Sequence, residues 1–229
     1  MSESARRSHQ DFMTYNAIVF DLDGTLLNTL EDLADSTNRM LQTLGFPEHA
    51  VDAYRYFVGN GMAKLIENVL PEAARTKAVM TQALQLFQEN YQKNWKNNTR
   101  PYEQVPDMLD RLQEKGITFT ILSNKPDAFT QRCVAELLPQ WHFEIVQGQK
   151  AGIPRKPDPA GALDIARTLA LHPNEFFYLG DTATDMKTAV AAGMFPGAAL
   201  WGFREREELL EHGAQQLFEC PLDVSDFLL

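Results

Sequence analysis

Five short apolar runs, at residues 17–20, 117–122, 143–146, 176–179 and 197–201, punctuate the chain. Each gives way to polar or Gly-rich residues and then to a helical pattern. Unbroken apolarity, rather than alternation, suits a strand buried on both faces, and helices between such strands favour parallel pairing. The pattern predicts a doubly wound parallel α/β sheet. One interval breaks the rhythm, because about 95 residues separate the first run from the second, far more than a single crossover helix needs.

That interval reads as helical throughout. "LEDLADSTNRMLQTLGF" closes at Gly45, "GMAKLIENVL" stops at Pro71, and "RTKAVMTQALQLFQENYQKNW" spaces its apolar residues three and four apart. The expected organisation is a core built from residues 1–28 and 102–229, with an inserted helical cap at 29–101. A chain of 229 residues with 44% hydrophobic content can bury one sizeable core together with such an accessory unit.

The first strand ends in chemistry. In "YNAIVFDLDGTLLNT", Asp21 and Asp23 follow the apolar run directly. Ligands of open α/β sheets bind beyond the carboxyl ends of the strands, and residues two apart on extended backbone point the same way. Both carboxylates can therefore converge on one ligand, with Gly24 turning the chain and Thr25 adding a hydroxyl. Alone, Asp-Leu-Asp-Gly is equally a polar turn.

Three further stretches change that balance. "FTILSNKPD" ends its run at Ser123 and Asn124, "YLGDTATD" carries Asp181 with Asp185 one helical turn on, and "GIPRKPDP" places Lys156 in a loop before a helix. Several carboxylates within a few ångströms repel, and a divalent cation with hard oxygen ligands, Mg²⁺ above all, resolves the repulsion. A carboxylate nucleophile, a second carboxyl, a hydroxyl and an ammonium beside Mg²⁺ suit phosphoryl transfer. Asp21 is the expected nucleophile, forming an aspartyl-phosphate. Asp23 would protonate the leaving oxygen and then take a proton from the attacking water. Ser123 and Lys156 would bind phosphoryl oxygens, with Thr25 and Asn124 beside them. Asp181 would hold the metal, and Asp185 would join it directly or through water.

"DLDGT", "LSNK", "RKPDP" and "GDTATD", in this order, resemble the four motifs of the haloacid dehalogenase superfamily. The resemblance implies a Rossmann-like core, a nucleophilic Asp21, Mg²⁺ dependence, and coordination by Asp21, the Asp23 backbone carbonyl and Asp181. An Asp at position 23 separates the chain from the similar dehalogenases and phosphonatases and favours a phosphate-ester hydrolase or mutase. Within the cap, "YRYFVGNGMAKLIENVL" is similar to the phosphoglycolate phosphatase branch, as are "SNKP" and "WGFREREEL". This implies 2-phosphoglycolate as the first substrate to consider. Gly59, Asn60 and Gly61 could bring backbone amides to a small anion, or could simply make a helix–helix turn. Arg55 and Lys64 could meet a substrate carboxylate, although solvated helix charges are the commoner outcome. Hinges are expected near residues 28–30 and 100–102.

Other features bound the function. The net charge of −10 argues against nucleic acid held by general attraction, so the expected partner is a small phosphorylated metabolite. No apolar run approaches the roughly 20 residues of a membrane span, and "MSESARRSHQDFMT" lacks the apolar stretch of a signal peptide. A cytoplasmic monomer or homodimer is the resulting expectation. Cys133 and Cys220 have no partner spacing and read as core fillers. Rival readings are a sugar phosphatase or phosphomutase, for which the cap lacks an evident His/Lys pair, a signalling receiver, which the cap counts against, and a silent phosphate-binding protein.

Overall fold

Ala17, Ile18, Val19 and Phe20 form β1 (Ala17–Phe20), in which every residue is buried. Ile18 and Phe20 enter one apolar cluster, while Ala17 and Val19 enter another on the opposite face, which is why the run is apolar without alternation. The computed structural model describes residues 15–229; residues 1–14, on which the expectation about a signal peptide falls, lie outside the described residues.

After β1 the chain forms β2 (Leu27–Asn28), α1 (Leu30–Thr43), α2 (Tyr54–Phe57), α3 (Met62–Val69), α4 (Lys77–Asn94) and β3 (Arg100–Pro101). It continues through α5 (Val105–Glu114), β4 (Thr118–Pro126), α6 (Asp127–Leu137), β5 (Phe143–Gln149), α7 (Ala160–Thr168), β6 (Phe176–Gly180) and α8 (Ala183–Ala192). The last elements are β7 (Phe195–Ala199), α9 (Arg206–Glu211), β8 (Gln216–Phe218) and α10 (Pro221–Leu228).

Six strands form one parallel sheet in the order β5-β4-β1-β6-β7-β8. The chain leaves β1 toward β4 and β5 on one side and later toward β6, β7 and β8 on the other. The strand order thus reverses at β1, and a crevice opens beyond its carboxyl end. Phe20 is level with Ile121 and Leu179, which sets Asp21 at the rim between the neighbouring strand ends. This is the α/β Rossmann-like fold with its helical insertion between β1 and β4.

β2 and β3 pair antiparallel, Leu27 with Pro101 and Asn28 with Arg100, so the chain enters and leaves the insertion through one short ribbon. The insertion is built on α1 against α4, with Leu33, Met40, Phe87, Tyr91 and Trp95 among its buried residues. The Asp32 carboxylate is buried there and accepts from the backbone amides of Asn98 and Thr99 and from the Thr99 hydroxyl.

Several details differ from the sequence-based expectation. β4 runs on through Ser123, Asn124 and Lys125 to Pro126, with a register shift against β5 after Leu122, because Pro126 pairs again with Gln149. β7 spans Phe195–Ala199 and includes Pro196. The Pro196 carbonyl accepts from Gln215, just before β8 begins, so the absent N–H falls at the end of the ladder rather than within it. Trp201 lies in the following turn, where its indole N–H donates to the Thr25 carbonyl at 2.9 Å. β8 has only three residues, too few to carry a pattern. Cys133 is a buried free thiol, whereas Cys220 is half-buried at the start of α10.

Candidate active site

The crevice beyond β1 gathers the acids that the sequence separates by some 160 residues. Asp21 is buried at the rim, and its amide donates to the Leu179 carbonyl of β6 at 2.9 Å. Asp181 follows β6 and is fully buried; its carboxylate accepts from Thr25 Oγ1 at 2.9 Å and from the Phe203 amide at 2.8 Å. Gly24 makes this approach feasible. Its φ is +93°, and a Cβ there would stand 2.3 Å from Asp181 Oδ2. Asp185, in the first turn of α8, accepts from the Thr182 amide and hydroxyl through Oδ2. One oxygen from each of Asp21, Asp181 and Asp185 lies within 4.8 Å of the others.

Lys156 supplies the positive charge at this cluster. Its ammonium donates to Asp21 at 2.9 Å, to Asp185 at 2.6 Å and to the Leu122 carbonyl at 2.8 Å, which uses all three of its protons. Burial and the neighbouring carboxylates nevertheless push Asp21 and Asp181 toward their neutral forms. Asp21 is raised from 3.8 to about 7, chiefly by burial, with Lys156 opposing and Asp185 adding. Asp181 is raised well above its ordinary value by burial and by the charges of Asp21 and Asp185. One ammonium does not balance three buried carboxylates, and this all-oxygen donor set suits a hard divalent cation.

Other site residues form a second layer. Ser123 is buried beside the cluster, and its Oγ accepts from the Lys125 amide at 3.2 Å. Asn124 accepts from the Lys156 amide at 2.9 Å and donates to the carbonyls of Lys156 and Gly59, each at 3.1 Å. Its amide therefore joins the lysine loop to the insertion, and Thr25, fully buried, spends its hydroxyl proton on Asp181. The Asp23 carboxylate lies outside the three-acid cluster and pairs with Lys125 at 3.0 Å.

The loop between α2 and α3 docks against the same rim. Asn60 accepts from Arg155 through its carbonyl and from Thr184 through its side chain, and the Val58 carbonyl accepts from Arg204 at 3.0 Å. Gly59 and Gly61 both have positive φ, 101° and 83°, as a sharp reversal requires. The loop contacts the core through its carbonyls. Arg55 donates to the Gly202 carbonyl at 2.6 Å, whereas Lys64 is a surface charge paired with Glu67. Between this loop, α4 and the strand ends lies a cavity of about 70 Å³, lined by Asp21, Asp23, Ser123 and Lys125 on one side and by Met62, Phe87 and Tyr91 on the other.

A family model for haloacid dehalogenase-like hydrolases matches residues 18–199, most of the chain and every acid of the cluster. The chain belongs to this family. Among relatives of the haloacid dehalogenase-like hydrolase, a phosphoglycolate phosphatase of Aquifex aeolicus is 30% identical over 186 residues, covering 81% of this chain and 85% of its own. Another from Pseudomonas putida is 33% identical over 215 residues, covering 92% of this chain and 76% of its own. A solved structure from Lactobacillus delbrueckii subsp. bulgaricus superposes with a TM-score of 0.87 at 28% identity, covering 94% of this chain and 99% of that one. The protein is accordingly a phosphoric monoester hydrolase of the haloacid dehalogenase-like family. No helix among the described residues is long and apolar enough to cross a membrane.

Two residues of this hydrolase's site escaped the sequence reading. Lys125 stands inside the "LSNK" motif but received no role, because nothing local tells which acid it faces. Tyr91 lies four residues after Phe87 on α4 and reads as one more member of an apolar stripe. Only its hydroxyl, which accepts from Lys125 at 2.7 Å, sets it apart.

Proposed function

We propose that this protein hydrolyses a small phosphomonoester through an aspartyl-phosphate on Asp21, with Mg²⁺ at the three-acid cluster. The observation that carries the reading is the convergence of Asp21, Asp181 and Asp185 around one buried point, with Lys156 already bonded to two of them. Asp21 and Asp181, with the Asp23 backbone carbonyl, would hold the ion, and Asp185 would complete the site directly or through water. When bound, Mg²⁺ supplies positive charge against the phosphoryl oxygens and relieves the repulsion among the acids.

Asp21 attacks phosphorus, and the bond to the ester oxygen breaks as that oxygen takes a proton from Asp23. Asp23, now a carboxylate, takes a proton from water; the water oxygen attacks phosphorus, releasing inorganic phosphate and restoring Asp21. The Ser123 hydroxyl and the Lys156 ammonium neutralise the equatorial oxygens in both steps. Thr25 keeps Asp181 in place, and Asn124 keeps the Lys156 loop and the insertion in register.

The helical insertion, residues 29–101, serves as a cap that excludes water and selects the leaving group, and the β2–β3 ribbon serves as its hinge. Gly59 and Gly61 form the cap's reading edge at the cavity, and Asn60 between them anchors the loop to Arg155 and Thr184. The named relatives make 2-phosphoglycolate the first substrate to test. Purified protein should release phosphate from a panel of small phosphomonoesters only with Mg²⁺, and Asp21→Asn should abolish release. Turnover without a divalent ion, or full activity in the variant, would overturn the mechanism; a different best substrate would overturn only the glycolate assignment.

A further inference from the structure

The ammonium of Lys125 lies between two groups from different parts of the chain. It donates to Asp23 Oδ1 at 3.0 Å and Oδ2 at 3.2 Å, and to the hydroxyl of Tyr91 at 2.7 Å. Asp23 belongs to the loop after β1, Lys125 to β4 and Tyr91 to α4 of the insertion. Sharing one donor between both carboxylate oxygens fixes the plane of the Asp23 carboxyl group. Tyr91 is itself held from two sides, stacked on Phe87 of α4 at 5.5 Å between ring centres and tilted against Phe129 of α6 at 5.3 Å. Lys125 also sits 4.8 Å from the Tyr91 ring centre, so face and hydroxyl together confine the ammonium.

A contribution to stability alone is a weak reason for this arrangement. Lys125 is 6% exposed, and withdrawing a cation from water offsets most of what an ion pair gains. Asp23, Lys125 and Tyr91 instead all line the cavity beside Asp21. From this geometry we infer that Lys125 is the positioning residue for the acid–base carboxyl of Asp23, and that Tyr91 makes its grip depend on the insertion lying against the core.

The inference rests on the phosphatase reading above and adds a role to it. In the first step the proton on Asp23 moves to the departing ester oxygen and a carboxylate is left behind. Lys125, already aimed at both oxygens, stabilises that charge as it develops without having to reorganise. When the insertion moves away from the core, Tyr91 leaves with α4 and Lys125 loses the second contact that holds it. Competent acid catalysis is thereby confined to the closed arrangement.

Leaving groups that differ in their need for a proton provide the test. An alkyl phosphate such as 2-phosphoglycolate requires protonation of its departing oxygen, whereas nitrophenolate leaves unaided. Values of kcat/KM report the steps through departure of the leaving group, so slower hydrolysis of the aspartyl-phosphate does not obscure the comparison. Lys125→Met should lower kcat/KM for the alkyl phosphate about 100-fold while changing that for nitrophenyl phosphate by less than about 3-fold. Tyr91→Phe, which keeps the ring and its packing, should show the same preference with a loss of about 3- to 10-fold on the alkyl ester, and serves alone if Lys125→Met does not fold. Placed on Asp23→Asn, either substitution should add nothing, because the group being positioned is gone. Equal losses on both esters, or losses that add to those of Asp23→Asn, would overturn the inference while leaving the phosphatase reading intact. Wild-type protein inactive on every ester would overturn both.

Discussion

Asp32 accepts from the Thr99 amide at 2.8 Å and from the Thr99 hydroxyl at 2.7 Å through a single carboxylate oxygen. The pair spans 67 residues and closes the insertion where the chain enters and leaves it. Its other oxygen accepts from Asn98, so the buried charge is fully met by donors. Asp32→Ala would leave these buried amides without an acceptor. It should cost about 3 kcal/mol, lowering Tm by roughly 6–12 °C for a chain of this size, as thermal unfolding would measure. A loss below about 1 kcal/mol would mean that water replaces the carboxylate there.

Gly24 and Gly116 both have positive φ, +93° and +74°, but only Gly24 faces a neighbour. A Cβ at position 24 would sit 2.3 Å from Asp181 Oδ2, whereas at 116 nothing lies within 4 Å. Gly116→Ala should therefore cost only backbone strain, about 1 kcal/mol, with activity unchanged. Gly24→Ala should displace Asp181 and reduce phosphate release at least 100-fold, on the scale of losing an electrostatic catalytic group. Parallel urea titrations and phosphate assays would separate the two effects.

The acids of the cluster also set how stability depends on pH. In the metal-free protein Asp21 is raised from 3.8 to about 7, so between these values the native state holds more protons than the unfolded chain. Stability should accordingly fall as pH rises through this window and level off above it. Lys156, raised well above its ordinary 10.5, contributes stability that is fully present throughout this range and lost only at strongly alkaline pH. Mg²⁺ should raise Tm more at pH 8 than at pH 5, because the ionised acids bind it more tightly. Scanning calorimetry with and without Mg²⁺ checks both signs; an increment equal at the two pH values would contradict the assignment.

Lys156→Met should remove turnover and weaken the fold together. Its ammonium is bonded to Asp21 and Asp185, and without it two buried carboxylates face each other uncompensated. The expected stability loss is about 3–5 kcal/mol without a divalent ion and less with Mg²⁺ present. Phosphate release should drop at least 100-fold even where Mg²⁺ restores Tm. Recovery of activity along with Tm would show that Lys156 serves folding alone.

Much of this architecture follows from local pattern. The unbroken apolarity of residues 17–20 and 176–179 reflects burial on both faces, and the long helical interval could not be a single crossover. Asp21 and Asp181 are legible because each directly follows a strand, and in a doubly wound sheet such ends open on one crevice, whereas Ser123 lies within β4 and Lys156 in the loop before α7. The run expected at 197–201 is offset by two residues from β7, which begins at Phe195, includes Pro196 and ends before Trp201.

The sequence by itself determined five of the sheet's six strands, the place of the insertion and the set of acids, because strand burial and helical periodicity are written into neighbouring residues. Tertiary structure alone decided which charge meets which. Lys156 joins Asp21 and Asp185, Lys125 joins Asp23 and Tyr91, and Asn124 ties the lysine loop to Gly59. Those pairings span 29 to 135 residues. No local period records them, because they exist only where separate strand ends and the helical insertion converge.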